Sequence, residues 1–222
     1  MRLCFYLLAF VLLFQNPAKA SPEEWQSTFG CYPSVTAYPL STCQVVMGGG
    51  LRTAHDGPDA QLTELISIEH WQSFEPRPDS SALVLYKVGE NWRLEAFVWK
   101  YDLATHIRSG AGDVRYSGSK MMRSSNVIVS DARIRAFRKA HPFPPALAGA
   151  EKFDTGCTDG SNLTMYYGNG DKALRRARHV CQGRVGLDVF AEALVSLAIE
   201  LDPGLASYAD VFTIAQDSND AP

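Results

Sequence analysis

Two β-rich runs, Ala82–Val88 and Trp92–Tyr101, flank Gly89-Glu90-Asn91 and read as an antiparallel hairpin. In the second run Trp92, Leu94, Ala96 and Val98 alternate with Arg93, Glu95, Phe97 and Trp99. Successive side chains of a strand point to opposite faces. Both alternating sets hold large apolar groups, so the pattern predicts a central strand covered on each side. Such a strand needs packing layers above and below it, and the rest of the chain must supply them.

Residues 62–71 fit two periods. Leu62, Leu65, Ile66 and Glu69 make a helical stripe, while Ile66 and Ile68 fit a strand. The hairpin that follows favours the strand, which gives a three-stranded meander over 62–101. Residues 104–126 are rich in Gly, Ser and basic side chains and read as a long connection. Val127–Val129 is a brief β-like run. Ser130-Asp131 then caps a helix that runs to Ala140, with Ile134 and Phe137 as its apolar stripe. His141-Pro142 stops it, and the Pro/Ala/Gly stretch to Ala150 reads as a linker.

Beyond the linker, Ser161–Tyr167 and Lys172–Val180 read as strands around the turn signal Gly168-Asn169-Gly170-Asp171. A helix follows from Gly186 to Leu201, where Leu187, Phe190, Ala191, Leu194, Leu197, Ala198 and Leu201 repeat at three and four. Near the other end, Ser21-Pro22-Glu23-Glu24 has the form of a capping box and opens a short helix to Phe29. Residues 30–43 read as an irregular loop. Gly48-Gly49-Gly50 reads as a turn, because no Lys-Ser/Thr follows to make a phosphate cradle. The expected fold is α+β: antiparallel hairpins and a meander packed with a few helices, with two disulfides. Residues 21–150 form one region. Residues 151–215, a stapled hairpin plus helix, pack on it as one globular unit. Residues 216–222 form a flexible tail.

The first twenty residues have the three parts of an export signal. Arg2 is the positive start, Leu3–Phe14 is apolar and uncharged, and Ala18-Lys19-Ala20 offers small residues two apart. Cleavage is expected between Ala20 and Ser21. Twelve apolar residues span only about 18 Å as a helix, too short for a hydrocarbon core of about 30 Å. The 202 residues that remain carry 19 basic and 24 acidic side chains and four cysteines, Cys31, Cys43, Cys157 and Cys181. An even number of cysteines in an oxidising compartment predicts disulfides. Cys157 and Cys181 are symmetric about position 169, inside the turn signal, so two strands leaving that turn would set them opposite one another. Cys31 is then left to pair with Cys43.

Charge is segregated along the chain. Residues 21–107 hold 5 basic and 11 acidic side chains, residues 108–186 hold 14 and 6, and residues 187–222 hold none and 7. Two readings follow. The basic segment is a face for an anionic envelope component or protein, or the three segments neutralise one another in the folded chain. Arg133, Arg135 and Arg138 are its densest helical cluster. Export argues against nucleic acid as the partner, and no second stretch is long enough to span a membrane.

Catalytic motifs are sparse. GxSxG is absent, and Ser117 lacks the strand–turn–helix setting of a nucleophile elbow. The five histidines show no metal-ligand spacing, and no cofactor motif is present, so neither a metal nor a cofactor is expected. Glu64 and His70 would share a strand face, with Glu69 on the other. Trp99 and its aromatic neighbours suit either a ligand platform or the core. The sequence therefore predicts an exported, periplasmic or secreted, non-catalytic binding protein of the cell envelope. The alternative is a small exported hydrolase whose site is assembled from scattered residues such as Glu64, His70 and Ser117.

Overall fold

The structure, a computed structural model, describes residues 22–31, 41–47, 61–72, 79–101, 119–143, 161–170, 172–180 and 186–212. The fold is α+β. Six antiparallel strands form one sheet: β1 Leu62–Gln72, β2 Ser80–Val88, β3 Asn91–Tyr101, β4 Ser119–Val129, β5 Ser161–Asn169 and β6 Lys172–Val180. Their order across the sheet is β4-β3-β2-β1-β5-β6. The first four strands make a meander, and the β5–β6 hairpin continues the same sheet by pairing β5 with β1, from Glu64 opposite Asn169 to Gln72 opposite Ser161.

Helices cover both faces. On one face lie α1 (Pro22–Phe29) and α2 (Ser41–Met47). On the other lie α3 (Asp131–Ala140), α4 (Gly186–Leu201), the 3-10 helix Pro203–Tyr208 and α5 (Ala209–Phe212). Two apolar clusters result. Trp92, Leu94, Ala96 and Val98 join Ile66, Leu83, Leu163 and the α4 residues Leu187, Phe190 and Leu194. Phe97 and Trp99 join Leu65, Val84, Tyr86, Trp25, Phe29 and Val46. The double alternation of β3 is thus the signature of a sheet buried on two sides. The same burial explains why residues 62–71 read ambiguously: residues 65–70 are all buried, so the run lacks the polar–apolar contrast that marks a half-exposed strand.

The 104–126 connection needs correction, because its last eight residues belong to β4. Among residues 121–129 of that strand only Val129 is buried. An edge strand with solvent on one side tolerates Ser, Lys and Arg, and β4 owes its conformation to pairing with β3 rather than to composition. Its ladder carries one irregularity: Val98 faces Arg123 but Trp99 faces Met121, which leaves Met122 as an extra residue. The loop expected over 30–43 also ends early, since α2 begins at Ser41.

Cys31 and Cys43 are bonded, with Cα atoms 5.3 Å apart, and tie the end of α1 to α2. Cys157 and Cys181 lie outside the described residues. The hairpin is not symmetric about position 169, as their pairing assumed, because Asn169 is still in β5 and pairs with Lys172. Gly170 has φ +56°, a conformation that favours glycine, and its carbonyl accepts a 3.1 Å hydrogen bond from Trp25 Nε1. Gly168 has a different task. A Cβ there would lie 2.7 Å from the Trp25 ring, so that ring lies against β5 only because position 168 has no side chain. Gly168→Ala is expected to destabilise the protein by about 1–3 kcal/mol through overpacking, read by urea denaturation. A variant as stable as the parent would contradict this close approach.

Candidate functional site: the charged seams and open edges of the sheet

The sequence-predicted residues fall at separate places. Glu64 and His70 do share a face of β1, but six residues of strand put them about 20 Å apart. The Glu64 carboxylate is bound by Arg138, whose guanidinium also lies over the Trp92 ring, 4.8 Å from its centroid. His70 sits under α5, where its Nδ1–H donates to the Val211 carbonyl at 2.9 Å. Its Nε2 is buried with no hydrogen-bond partner among the described residues. Burial holds the imidazole below its ordinary value of 6.5, partly offset by the bond to Val211. Ser117 lies outside the described residues. Trp99 is buried, its ring stacked on Phe97 at 5.7 Å between centroids.

The arginines of the basic segment reach across to the acidic ones. Arg138 binds Glu64 from the first acidic segment. Arg133 binds Glu200, Arg123 holds Asp202 at 2.5 and 2.7 Å, and Arg178 meets Asp188 at 3.0 Å, all three acids belonging to the last segment. The hydrogen bonds from Arg123, then that from Ser125, hold the Asp202 carboxyl below the usual carboxylate range. Arg178–Asp188 is fully buried, so removing one partner alone would leave a charge stranded. Of the α3 cluster, Arg135 remains exposed beside Lys139.

On the α1/α2 face a different polar seam runs through the sheet. Glu69, which the sequence placed opposite Glu64 and His70, is its centre. The carboxylate accepts the backbone N–H of Thr42 at 3.1 Å and the Tyr166 hydroxyl at 3.1 Å. Thr42 and Ser67 share a 2.6 Å hydrogen bond between their hydroxyls. The Thr42 N–H belongs to the first turn of α2, so a strand carboxylate caps that helix. Burial pushes the Glu69 carboxyl up from 4.5, against the hydrogen bonds from Thr42 and Tyr166 and the charge of Arg175. Burial and the neighbouring Glu69 charge raise the Tyr166 hydroxyl as well. Arg175 lies over the Tyr166 ring at 5.9 Å and carries the seam out to the β6 edge. Nearer β4 a second seam joins Glu95 to the Tyr86 hydroxyl and to Asn126 Nδ2 at 2.9 Å.

Both sheet edges are open among the described residues. The β6 edge is cationic: Lys172 and Arg175 are exposed, and Ala173–Ala177 with Thr28 border an open concavity of about 360 Å³. Sequence reading counted these arginines in the basic segment but did not single them out. Their signal was the density of Lys172, Arg175, Arg176 and Arg178 within one strand. The β4 edge carries Met121, Met122 and Ile128, three of the four large apolar residues exposed among the described ones. Among the described residues no group of His, Cys, Asp and Glu could hold a metal ion, and no helix is long and apolar enough to cross a membrane. No family model, curated protein or solved structure matches the chain.

The two buried titrating groups act in opposite directions. Glu69, raised, gives stability that is present below 4.5 and lost as pH rises through its folded value. His70, lowered, gives stability that is present above 6.5 and lost as pH falls through its folded value. Glu69→Gln should therefore gain stability relative to the parent as pH rises from about 4.5 to about 8, measured by denaturation at each pH. A difference that does not change with pH would contradict the buried carboxyl.

Proposed function

We propose that the protein is an exported, non-catalytic binding protein of the cell envelope, and that its basic edge strand β6 takes an anionic component of that compartment. The observation that carries this reading is the distribution of charge after folding. Four arginines of the basic segment are engaged by carboxylates from the flanking segments, whereas Lys172 and Arg175 stay exposed along an open sheet edge beside the 360 Å³ concavity. Three positions apart on one strand, Lys172 and Arg175 leave opposite faces of that edge, and cationic side chains so placed attract phosphate or carboxylate groups, whether of a lipid headgroup or of an acidic polymer. The placement outside the cytoplasm is supported by the charged, apolar and small-residue parts of the first twenty residues and by the Cys31–Cys43 bond. Removal of the signal after Ala20 takes Cys4 with it, and Cys157 and Cys181 form the second bond.

Binding to a sulfated-polysaccharide resin and to vesicles with and without anionic phospholipid tests this reading and separates the two sources of anion. Retention should weaken steeply with salt. Reversing the edge charge with Lys172→Glu and Arg175→Glu together should weaken binding about tenfold or more, while Arg135→Glu on α3 should leave it unchanged. Equal retention on a neutral matrix, or an equal loss from Arg135→Glu, would overturn it. Thiol titration of the unfolded mature protein should find no free cysteine, and two free thiols would contradict the second bond.

A further inference from the structure

We propose that the opposite edge, β4, pairs antiparallel with β4 of a second copy of the chain, joining two six-stranded sheets through a two-fold axis at Ser125. Open edges present unpaired backbone groups that template pairing with another strand. Natural edges are commonly blunted by charge, yet β4 displays Met121, Met122 and Ile128 at 44%, 46% and 57% exposure.

The strand is complementary to itself about a two-fold axis at Ser125. The extra residue at Met122 shifts the alternation by one, so Met121 lies on the same face as Ser124, Asn126 and Ile128. With Ser125 opposite Ser125 of the second copy, Ser124 meets Asn126 and Arg123 meets Val127. The Met121-Met122 bulge then meets Ile128. Ser125 meets its own copy and Ser124 meets Asn126 at the centre, and the apolar Met121, Met122 and Ile128 cluster at both ends. Like charges are never opposed. A two-fold axis at Lys120, at Arg123 or between Met121 and Met122 would instead set a cation against its own copy or Lys120 against Arg123, and that repulsion disfavours those registers. Arg123 is already held by Asp202, so it brings no unpaired charge into the contact. A two-fold contact uses each of these groups twice, as an isologous interface requires. It leaves β6 untouched, so it stands or falls separately from the anion-binding reading.

Sedimentation velocity on the protein from about 1 to about 200 µM should show a reversible monomer–dimer equilibrium. Ile128→Lys replaces an exposed side chain, so thermal melting should be close to the parent's. Removing two buried isoleucines from the dimer should weaken association about 100-fold. Ser125→Cys should form an intermolecular crosslink under mild oxidation, because directly opposed Cα atoms lie about 4.5–5.5 Å apart, within disulfide range. Lys172→Glu should leave the mass distribution unchanged. A monomer throughout the range overturns the proposal. So does a dimer indifferent to Ile128→Lys, or a dimer in which Ser125→Cys gives no crosslink.

Discussion

A sheet covered on both faces gives its inner strands no side that meets water. In β1, β2 and β3 nearly every position is buried, and a polar residue there survives only if another element supplies its partner. That requirement links most of the structure. Ser67 and Glu69 of β1 are satisfied by Thr42, so α2 must sit where it does, and the Cys31–Cys43 bond holds α2 to α1. Oε1 of Glu95 in β3 accepts from both Tyr86 and Asn126, which ties β2 and β4 to either side of it. His70 and Ser81 share the Val211 carbonyl, which seats α5 at the other end of the sheet.

Charge follows the same logic on a larger scale. The chain is acidic, basic and acidic in sequence, and folding lays these blocks across one another. Exposed ion pairs such as Arg133–Glu200 contribute little each. Their effect is to discharge the basic block, so that only selected cations stay outward. Arg178–Asp188 is different in kind. It is buried, it joins β6 to the first turn of α4, and the carboxylate lies at the positive end of the helix dipole. It therefore orients α4 over the hairpin as well as neutralising an arginine.

Much of this was legible in the sequence because local pattern and tertiary role agreed. The β2–β3 hairpin, α1, α3 and α4 all announce themselves by period, cap or turn residue. The failures have physical causes. β4 is hidden because an edge strand needs no apolar alternation. The β5–β6 turn reads two residues early because Gly168 looks like a turn glycine, although it is there to admit Trp25. Glu69 does not stand out beside Glu64 and His70 in the sequence, because nothing local tells that the amino end of α2 will reach β1. The sequence leaves open whether Arg138 is free or neutralised because its partners, Glu64 and Trp92, are 74 and 46 positions away.

The central claim is that β1 is the middle of a single sheet, closed above and below, with β4 and β6 as its open edges. Native-state amide hydrogen exchange measures this directly, since protection tracks burial and cooperative opening. The amides of residues 65–70 should exchange only through global unfolding. Outward-facing amides of β4 and β6 should exchange through local opening, orders of magnitude faster. If β1 exchanged as fast as the edge strands, or if β5 and β6 opened independently of β1, the two-sided sheet would be contradicted.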